Sequence, residues 1–144
     1  MTYLVSITRL RLRSVRFLPA FALFAFRSLQ QARRAGGFQA VSLLTDRRWT
    51  FWTMTVWDSE ESMRAFMTSG AHRAAMPRLL DWCDEASVVH WRQPQPDLSS
   101  WAEAYRRMRL EGRPSKVRFP SPDHAALKFA PPRGSAGPGR AAGV

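Results

Sequence analysis

The segment from Trp49 to Met76, WTFWTMTVWDSEESMRAFMTSGAHRAAM, constrains the fold of this chain more than any other. Its first part, Trp49 to Trp57, is rich in aromatic and β-branched residues and predicts a strand. Asp58 follows as the predicted N-cap of a helix, with Glu61 three residues later as its partner in a capping box. A glycine interrupts the helix shortly before a histidine. This order indicates a pocket but does not define its chemistry.

The patterns on either side of this segment complete a βαββαβ order. The first strand is predicted at Tyr3–Arg13, and the first helix runs from Val15 or Leu18 to Ala35. The second strand is predicted at Ala40–Thr45. The interrupted helix continues over Ala71–Asp84, and the fourth strand follows at Ala86–Gln93. Pro77 would disturb the continuation, so one helix and two short helices are equally compatible with it. The order is that of a ferredoxin-like α+β sandwich, in which helices cover one face of an antiparallel sheet.

Both faces of the predicted sheet carry large apolar side chains. In the third strand, Phe51 and Trp57 face one side, whereas Trp52 and Met54 face the other. The chain's own helix layer covers only one of these faces. A second copy packed sheet to sheet would cover the other, because an exposed apolar face of that size is a liability. We therefore predict a homodimer in the form of a dimeric α+β barrel.

Composition divides the chain into three parts. Residues 1–96 form the predicted barrel domain, and residues 97–130 form an amphipathic helix and an extended segment packed on it. Residues 131–144 are rich in Gly, Pro and Ala and predict a disordered tail.

The helix of the second part has clear boundaries. Ser100 is its predicted N-cap and Gly112 its predicted end. Lys116–Phe119 follows as a short added strand. One face of this helix is apolar, so we predict that the helix packs against another surface rather than remaining exposed. The residues on this face are Trp101, Tyr105 and Met108.

Charge and cysteine content limit the partners. The formal net charge is +11, but the arginines are scattered in short groups without a nucleic-acid-binding motif, so no nucleic acid partner is predicted. Cys83 is the only cysteine and cannot form an internal disulfide, which favours a reducing compartment and hence a cytoplasmic location. The apolar run FLPAFALFAF is far shorter than the ~20 residues that span a bilayer, so we predict a buried helix and no membrane insertion.

Two stretches of the sequence resemble a known group of proteins. TFWTMTVWDSEESMRAFMTSGAHRAAM and LLDWCDEASVVHW are similar to the dimeric α+β barrel proteins related to antibiotic biosynthesis monooxygenases. Within that group they most resemble the spheroidene monooxygenase-like proteins and a neighbouring uncharacterised domain family. WAEAYRRMRLEGRPSKVRF resembles the C-terminal helix and strand of that uncharacterised family. The resemblance covers residues 3–119 and implies the same fold, a homodimer and oxygenase-type chemistry.

The chemistry of this group is varied, and it includes cofactor-free oxygenation, haem degradation, haem-assisted carotenoid oxygenation, decarboxylation and isomerisation. Its haem degraders use Asn, Trp and His where this chain has Thr8 or Arg9, Phe66 and Met76, so the resemblance does not extend to haem degradation. The carotenoid-oxygenase-like branch keeps a Gly-x-His, which here ends in His72. The resemblance therefore implies either no cofactor or haem, with His72 as the metal ligand only if haem is bound.

His72 and Arg9 are the predicted catalytic residues. The neutral imidazole of His72 is suited to bind iron or to shuttle a proton near neutral pH. Arg9, a charge in the middle of the first strand, needs an acidic partner, a route to solvent or a bound anion. His90 is expected to be a sheet residue, and His124 lies in a weakly structured segment. The predicted ligand-binding residues are Trp52, Trp57, Phe66 and Met76.

Two functions follow from these observations. The first is a monooxygenase-like protein that binds an apolar aromatic, polyene or porphyrin-like molecule between helices and sheet. The second is a non-catalytic ligand-binding or stress-associated dimeric module. An oxidoreductase activity is expected only under the first.

Overall fold

The computed structural model describes residues 2–133. The disorder predicted for residues 131–144 therefore concerns a segment that lies almost entirely outside the described residues. Within the described part, the strands β1 to β5 span Tyr3–Leu12, Phe38–Asp46, Thr50–Trp57, Cys83–Gln93 and Arg113–Pro114. The helices α1 to α4 span Leu18–Arg34, Glu60–Met67, Gly70–Trp82 and Trp101–Glu111.

The strands form one antiparallel sheet in the order β2-β3-β1-β4-β5. The helices α1, α2 and α3 pack on one face of this sheet, where they share two apolar clusters with it. The arrangement is the predicted ferredoxin-like α+β fold, with α4 as the predicted extra C-terminal helix. The fold prediction is therefore confirmed.

The helix after β3 has a different cap from the one that the sequence predicts. Ser59, not Asp58, is the N-cap, and its Oγ accepts the backbone N–H of Ser62 at 3.1 Å. The Asp58 carboxylate instead accepts a hydrogen bond from the Ser62 hydroxyl at 2.7 Å. Adjacent Asp and Ser residues are both good caps, so the sequence pattern alone placed the helix start one residue too early.

The helix interruption predicted at Gly70 is confirmed. α2 ends at Met67, and Gly70 begins α3 with a φ of 58°, in the left-handed region that favours glycine. A Cβ at this position would also lie 3.0 Å from the side chain of Gln31. α3 then runs through Pro77 to Trp82 as one helix. The alternative with two short helices after Gly70 is therefore not formed.

The second face of the sheet is covered by the chain itself. Val5, Ile7 and Met54 form a buried cluster on this face with Trp101 and Met108 of α4. The prediction that a second copy covers this face is therefore wrong, because α4 of the same chain covers it. The homodimer stays a prediction, but sheet-to-sheet packing no longer supports it.

α4 itself forms as predicted, whereas the strand after it does not. The hydroxyl of Ser100 accepts the backbone N–H of Glu103 at 3.1 Å, and Gly112 follows the last turn. The added strand is Arg113–Pro114, which pairs with β4, and Lys116–Phe119 is not a strand. The pairing is short because Pro114 has no backbone N–H to extend the ladder.

The apolar run of residues 17–26 lies in a turn of 3₁₀ helix, Val15–Phe17, and in the first half of α1. Its Phe21 is buried, whereas Leu23 and Phe26 are exposed, so the helix is amphipathic rather than fully buried. No helix among residues 2–133 is both long enough and apolar enough to cross a membrane.

Candidate ligand-binding cleft

The helix-facing side of the sheet is apolar at its two ends. At one end, Leu4 and Trp57 of the sheet pack against Ala32 and Met63 of the helix layer. The buried residues of the cluster at the other end are Leu12, Phe21, Trp82 and Cys83. The apolar packing of this side is therefore divided in two.

A row of hydroxyl-bearing residues separates the two clusters. Thr8 lies opposite Thr53, and Ser6 lies opposite Thr55, in the β1–β3 pair. We call these four residues the hydroxyl belt. The three threonines are only half-buried, although they belong to central strands beneath the helix layer. Solvent therefore reaches the middle of this face, and the space between the belt and the helices is the candidate cleft.

His90 extends the hydroxyl belt onto β4. It lies opposite Ser6 and therefore on the same side of the sheet. Its Nε2 is buried and has no hydrogen-bond partner among residues 2–133. Burial lowers the pKa of His90, and the positive charge of Arg113 lowers it further. The sheet side of the cleft thus contains an imidazole that is neutral near pH 7 and has an unused nitrogen.

His72 lies in the first turn of α3 and is fixed through its backbone. Its N–H donates a hydrogen bond to Oε1 of Gln31 at 2.9 Å. Nε2 of the same Gln31 side chain donates to the carbonyl oxygens of Phe66 and Ser69 at 3.1 and 2.7 Å. Gln31 thus adds hydrogen bonds to backbone groups at the end of α2 and at the start of α3. The position of His72 relative to both helices depends on this one side chain.

The orientation of the His72 ring leaves one nitrogen available. Nδ1 lies 3.1 Å from the carbonyl oxygen of Met67, so the proton of a neutral ring belongs on Nδ1. Nε2 then carries the lone pair and makes no hydrogen bond to the described residues. Burial lowers the pKa of His72, although the Met67 carbonyl acts in the opposite direction. His72 can therefore accept a proton or bind a metal through Nε2.

An aromatic stack connects His72 to the sheet. The ring centroids of His72 and Phe66 are 4.7 Å apart, and those of Phe66 and Trp57 are 5.2 Å apart with an interplanar angle of 29°. Trp57 is fully buried at the end of β3. The three rings form an apolar cluster in which the buried Trp57 supports Phe66, and the half-buried rings of Phe66 and His72 are the ones within reach of a ligand.

Arg9 lies on the opposite face of the sheet, where Phe129 of the segment after α4 packs over it. Its Nη1 donates to Oε1 of Glu85 at 2.7 Å, and its guanidinium carbon lies 4.1 Å from the ring centroid of Phe129. Burial lowers the pKa of Arg9, while the hydrogen bond and charge of Glu85 oppose this effect. Glu85 is thus the acidic partner that a buried arginine requires. The sheet lies between Arg9 and His72, so the two cannot contact the same small molecule.

The predicted ligand-binding residues divide in the same way. Trp57 and Phe66 form the aromatic stack with His72. Trp52 belongs to the face beneath α4, where it is 1% exposed, and Met76 is 44% exposed on α3. Only the first two therefore lie together with His72.

Three features of this site were not predicted from the sequence. The hydroxyl belt could have been found in TFWTMTVW, where threonines at period two mark one face as polar in its middle. Gln31 gave no local signal, because it lies 41 residues before His72. His90 was interpreted only as a sheet residue. His124, in contrast, was expected in a weakly structured segment but is held by two hydrogen bonds to backbone groups.

The described residues contain no group of three or more His, Cys, Asp or Glu side chains that could hold a metal ion. Burial, with the charge of Asp84, raises the pKa of Cys83 to about 12, so its thiol is not a nucleophile near neutral pH. His72 and His90 are therefore the groups of the cleft that can exchange protons near pH 7.

Several solved structures share this fold. The NE2512 protein of unknown function from Nitrosomonas europaea is 20% identical, with a TM-score of 0.57 over 69% of this chain and 97% of its own. An antibiotic biosynthesis monooxygenase is 12% identical, with a TM-score of 0.55 over 61% and 95% of the two chains. Rv0793 from Mycobacterium tuberculosis is 13% identical, with a TM-score of 0.54 over 68% and 99%. At these identities the similarity concerns the fold alone.

A family model described as "Domain of unknown function (DUF3291)" matches residues 22–119, which is more than half of the chain. This match includes most of α1, the hydroxyl-bearing strand β3, the aromatic stack and α4. No match to a curated protein was found. The fold is therefore monooxygenase-like, and the reaction has to be inferred from the cleft.

Proposed function

The chain belongs to the DUF3291 domain family, and from its monooxygenase-like fold we propose that it binds a flat apolar molecule in the cleft between the helix layer and the sheet. The ligand is aromatic, polyene or porphyrin-like in character. The proposed reaction is a monooxygenation in which His72 acts on the bound molecule. The aromatic stack provides the wall, and the hydroxyl belt with His90 provides polar groups that orient the ligand.

One observation carries this proposal: the arrangement around His72. Its Nδ1 is bonded to a backbone carbonyl, its Nε2 is free of protein partners, and its ring contacts Phe66 in the aromatic stack. A histidine that only stabilised the break between α2 and α3 would not need a free Nε2 on a ring that also contacts Phe66. A bound ligand would give this nitrogen a partner.

Without a cofactor, the chemistry would begin with proton transfer. Nε2 of His72 would accept a proton from an acidic carbon or hydroxyl group of an aromatic ligand, leaving an electron-rich anion that reacts with dioxygen. The ligand itself supplies the electrons, since a CH₂ group becomes a carbonyl while one oxygen atom enters the product and the other leaves as water. The lowered pKa of His72 keeps it in the form that accepts a proton at neutral pH.

Haem is the alternative cofactor, and the donor at His72 fits it. An imidazole whose Nδ1 is bonded to a carbonyl and whose Nε2 is free is suited to bind a haem iron. Haem, when bound, would supply an iron that activates dioxygen. His72 would hold the iron, and the aromatic stack would exclude water from one side of the ring.

A second candidate function is a non-catalytic ligand-binding or stress-associated module. It is favoured because two of the residues at the haem-degrader positions do not lie in the cleft. Arg9 lies behind the sheet and Met76 is exposed, so neither assists His72 in the cleft. Under this alternative the ligand binds and leaves unchanged.

A homodimer and a cytoplasmic location belong to the same proposal. Because α4 covers the second sheet face, a dimer would have to form through another surface. Sedimentation of the full chain at micromolar concentration would measure the association.

Binding to the cleft can be tested with metal-free octaethylporphyrin, a flat apolar probe that has neither iron nor carboxylate groups. Fluorescence titration should show binding to the wild-type chain. Thr53→Trp, which places a large ring in the belt, should weaken binding at least about tenfold. Thr45→Trp adds the same ring at an exposed position of β2 and should not weaken binding. Equal binding by the wild type and Thr53→Trp would show that the cleft is not the site.

The role of His72 can be tested with haem. If Nε2 binds the iron, added haem gives an intense Soret band whose position shifts in His72→Ala but not in His90→Ala. An identical spectrum of wild type and His72→Ala would exclude the ligand role. Binding of octaethylporphyrin without a His72-dependent haem spectrum would favour the cofactor-free reaction.

A further inference from the structure

A cavity lies on the outer side of the helix layer, between α1 and α2. This groove has a volume of about 520 Å³, and Phe66 is the one residue of the aromatic stack that also lines it. The volume falls within the range of roughly 300–1,000 Å³ that is typical of small-molecule sites. The groove therefore has room for a ligand of its own.

Two arginines line the α1 side of the groove. Arg27 and Arg34 are seven residues apart on the same face of α1, which places them roughly 10 Å apart along the helix axis. Neither forms an ion pair with any carboxylate of residues 2–133. Other arginines of this basic chain also lack an ion-pair partner among residues 2–133. Arg27 and Arg34 differ from them because they line one concave site together.

The floor and the far wall of the groove are apolar or neutral. Phe66 forms part of the floor, and Ala35 and Ala65 line the walls beside it. Ser62 and Ser69 contribute hydroxyl groups from the α2 side. The groove thus combines two unpaired positive charges, an aromatic ring and no carboxylate side chain.

From this combination we infer that the groove is a second binding site, specific for an organic anion with a flat apolar body. The apolar body lies on Phe66, and the anionic group is bound by Arg27 or Arg34. Guanidinium groups suit carboxylate, sulfonate and phosphate groups because they offer several donors in one plane. The inference does not depend on the proposed function of the cleft.

The test uses 1-anilinonaphthalene-8-sulfonate, a flat fluorescent anion, and N-phenyl-1-naphthylamine, which has the same rings without the sulfonate. The wild-type chain should bind the anion in a fluorescence titration. The double variant Arg27→Gln and Arg34→Gln should bind it at least about tenfold more weakly, while its affinity for the neutral probe stays within about twofold. Ala65→Trp should fill the groove and remove the binding of both probes there.

Arg33→Gln is the matched control, because Arg33 is exposed on the same last turn of α1 and does not line the groove. Combined with Arg73→Gln, at a second exposed position outside the groove, it removes the same two charges as the Arg27 and Arg34 variant and should leave the affinity for the anion within about twofold. A loss equal to that of the Arg27 and Arg34 variant would mean attraction by the net charge and would overturn the inference. Absence of binding at millimolar probe, or binding that survives Ala65→Trp, would overturn it as well.

The cleft and the groove can be distinguished by the blocking variants. Thr53→Trp should leave the binding of the sulfonate probe unchanged, and Ala65→Trp should leave the binding of octaethylporphyrin, which has no anionic group, unchanged. If Thr53→Trp alone removed the sulfonate probe, the anion would occupy the cleft and the groove would not be a site.

Discussion

The two faces of the sheet are packed in different ways. On the face beneath α4, Val5, Ile7, Met54 and Val56 are all 0% exposed. On the face beneath α1, α2 and α3, the threonines of the hydroxyl belt are half-buried. One helix therefore seals its face completely, whereas three helices leave the middle of theirs open. The difference shows which face is available for a ligand.

The reason lies in the side chains that each layer contributes. α4 places Trp101, Ala104 and Met108 in one continuous cluster over the middle of its face. The opposite layer contributes apolar side chains to two separate clusters at the ends of the sheet. Hydroxyl groups in the gap between those clusters keep contact with water, so they need no protein partner. Closure of the first face contributes stability, and the opening of the second leaves the space in which we propose that a ligand binds.

The largest effect is expected from Trp101→Ala, which removes the central side chain of the sealed face. Trp101 is 0% exposed, and loss of a fully buried Trp side chain should lower the free energy of unfolding by about 3–5 kcal/mol. Urea denaturation measures this change. Leu110→Ala is the control on the same helix, because Leu110 is 71% exposed and should change stability by less than about 0.5 kcal/mol. Equal effects of the two variants would mean that α4 does not seal the sheet.

A smaller effect is expected when a hydroxyl residue replaces an apolar residue on the sealed face, or the reverse on the open face. Two adjacent positions of β3 allow both changes. Met54→Thr places a hydroxyl in the sealed face and should cost about 2–4 kcal/mol. Thr53→Met adds an apolar side chain to the open face, where there is space, and should change stability by less than about 1 kcal/mol. Thermal and urea unfolding of the two variants measure both values. A large loss in Thr53→Met would show that the middle of the second face is closed.

The smallest effect concerns pH and the open face. Burial lowers the pKa of His90 and of His72 below the ordinary value of 6.5, so the unfolded chain binds protons at higher pH than the folded chain. Stability should therefore be complete above about pH 6.5 and decrease as the pH falls through this value toward the lowered folded pKa.

The measurement is the unfolding midpoint in urea between about pH 7.5 and about pH 5.5. His90→Asn removes one of the two groups and should reduce the loss of stability over this range. The charges near His90 are Arg113, Arg64 and Glu60, so the measurement should be repeated at high salt. An identical pH dependence in wild type and His90→Asn would show that the imidazole is solvated in the folded chain.

Most of the fold could be predicted because its signals are local. Ser100 and Gly112 mark the ends of α4 within its own sequence, and Gly70 interrupts a helix through its own backbone. The choice between Asp58 and Ser59 as a cap could not be made, because two adjacent residues fit the same pattern. The destination of α4 could not be predicted either. An apolar stripe shows that a helix packs, but not which surface it packs against.

The candidate site was predicted only in part for the same reason. Strand periodicity places Arg9 on the face of Val5 and Ile7, but it does not indicate which face the helices cover. His72 and Phe66 are close in sequence, and their grouping could be predicted. The contact of His72 with Gln31 joins positions 41 residues apart, which no local pattern encodes.

The covalent attachment of α4 to the sheet determines how the stability of the fold depends on protein concentration. Residues 94–100 connect β4 to α4, so the helix is presented to the sheet at an effective concentration on the order of millimolar or more. A cover supplied by a second copy would instead be lost on dilution, and stability would change with the amount of protein. This chain carries its cover by a tether of seven residues. Its sheet is therefore shielded equally well at nanomolar and millimolar concentration, even for a single molecule newly released from the ribosome.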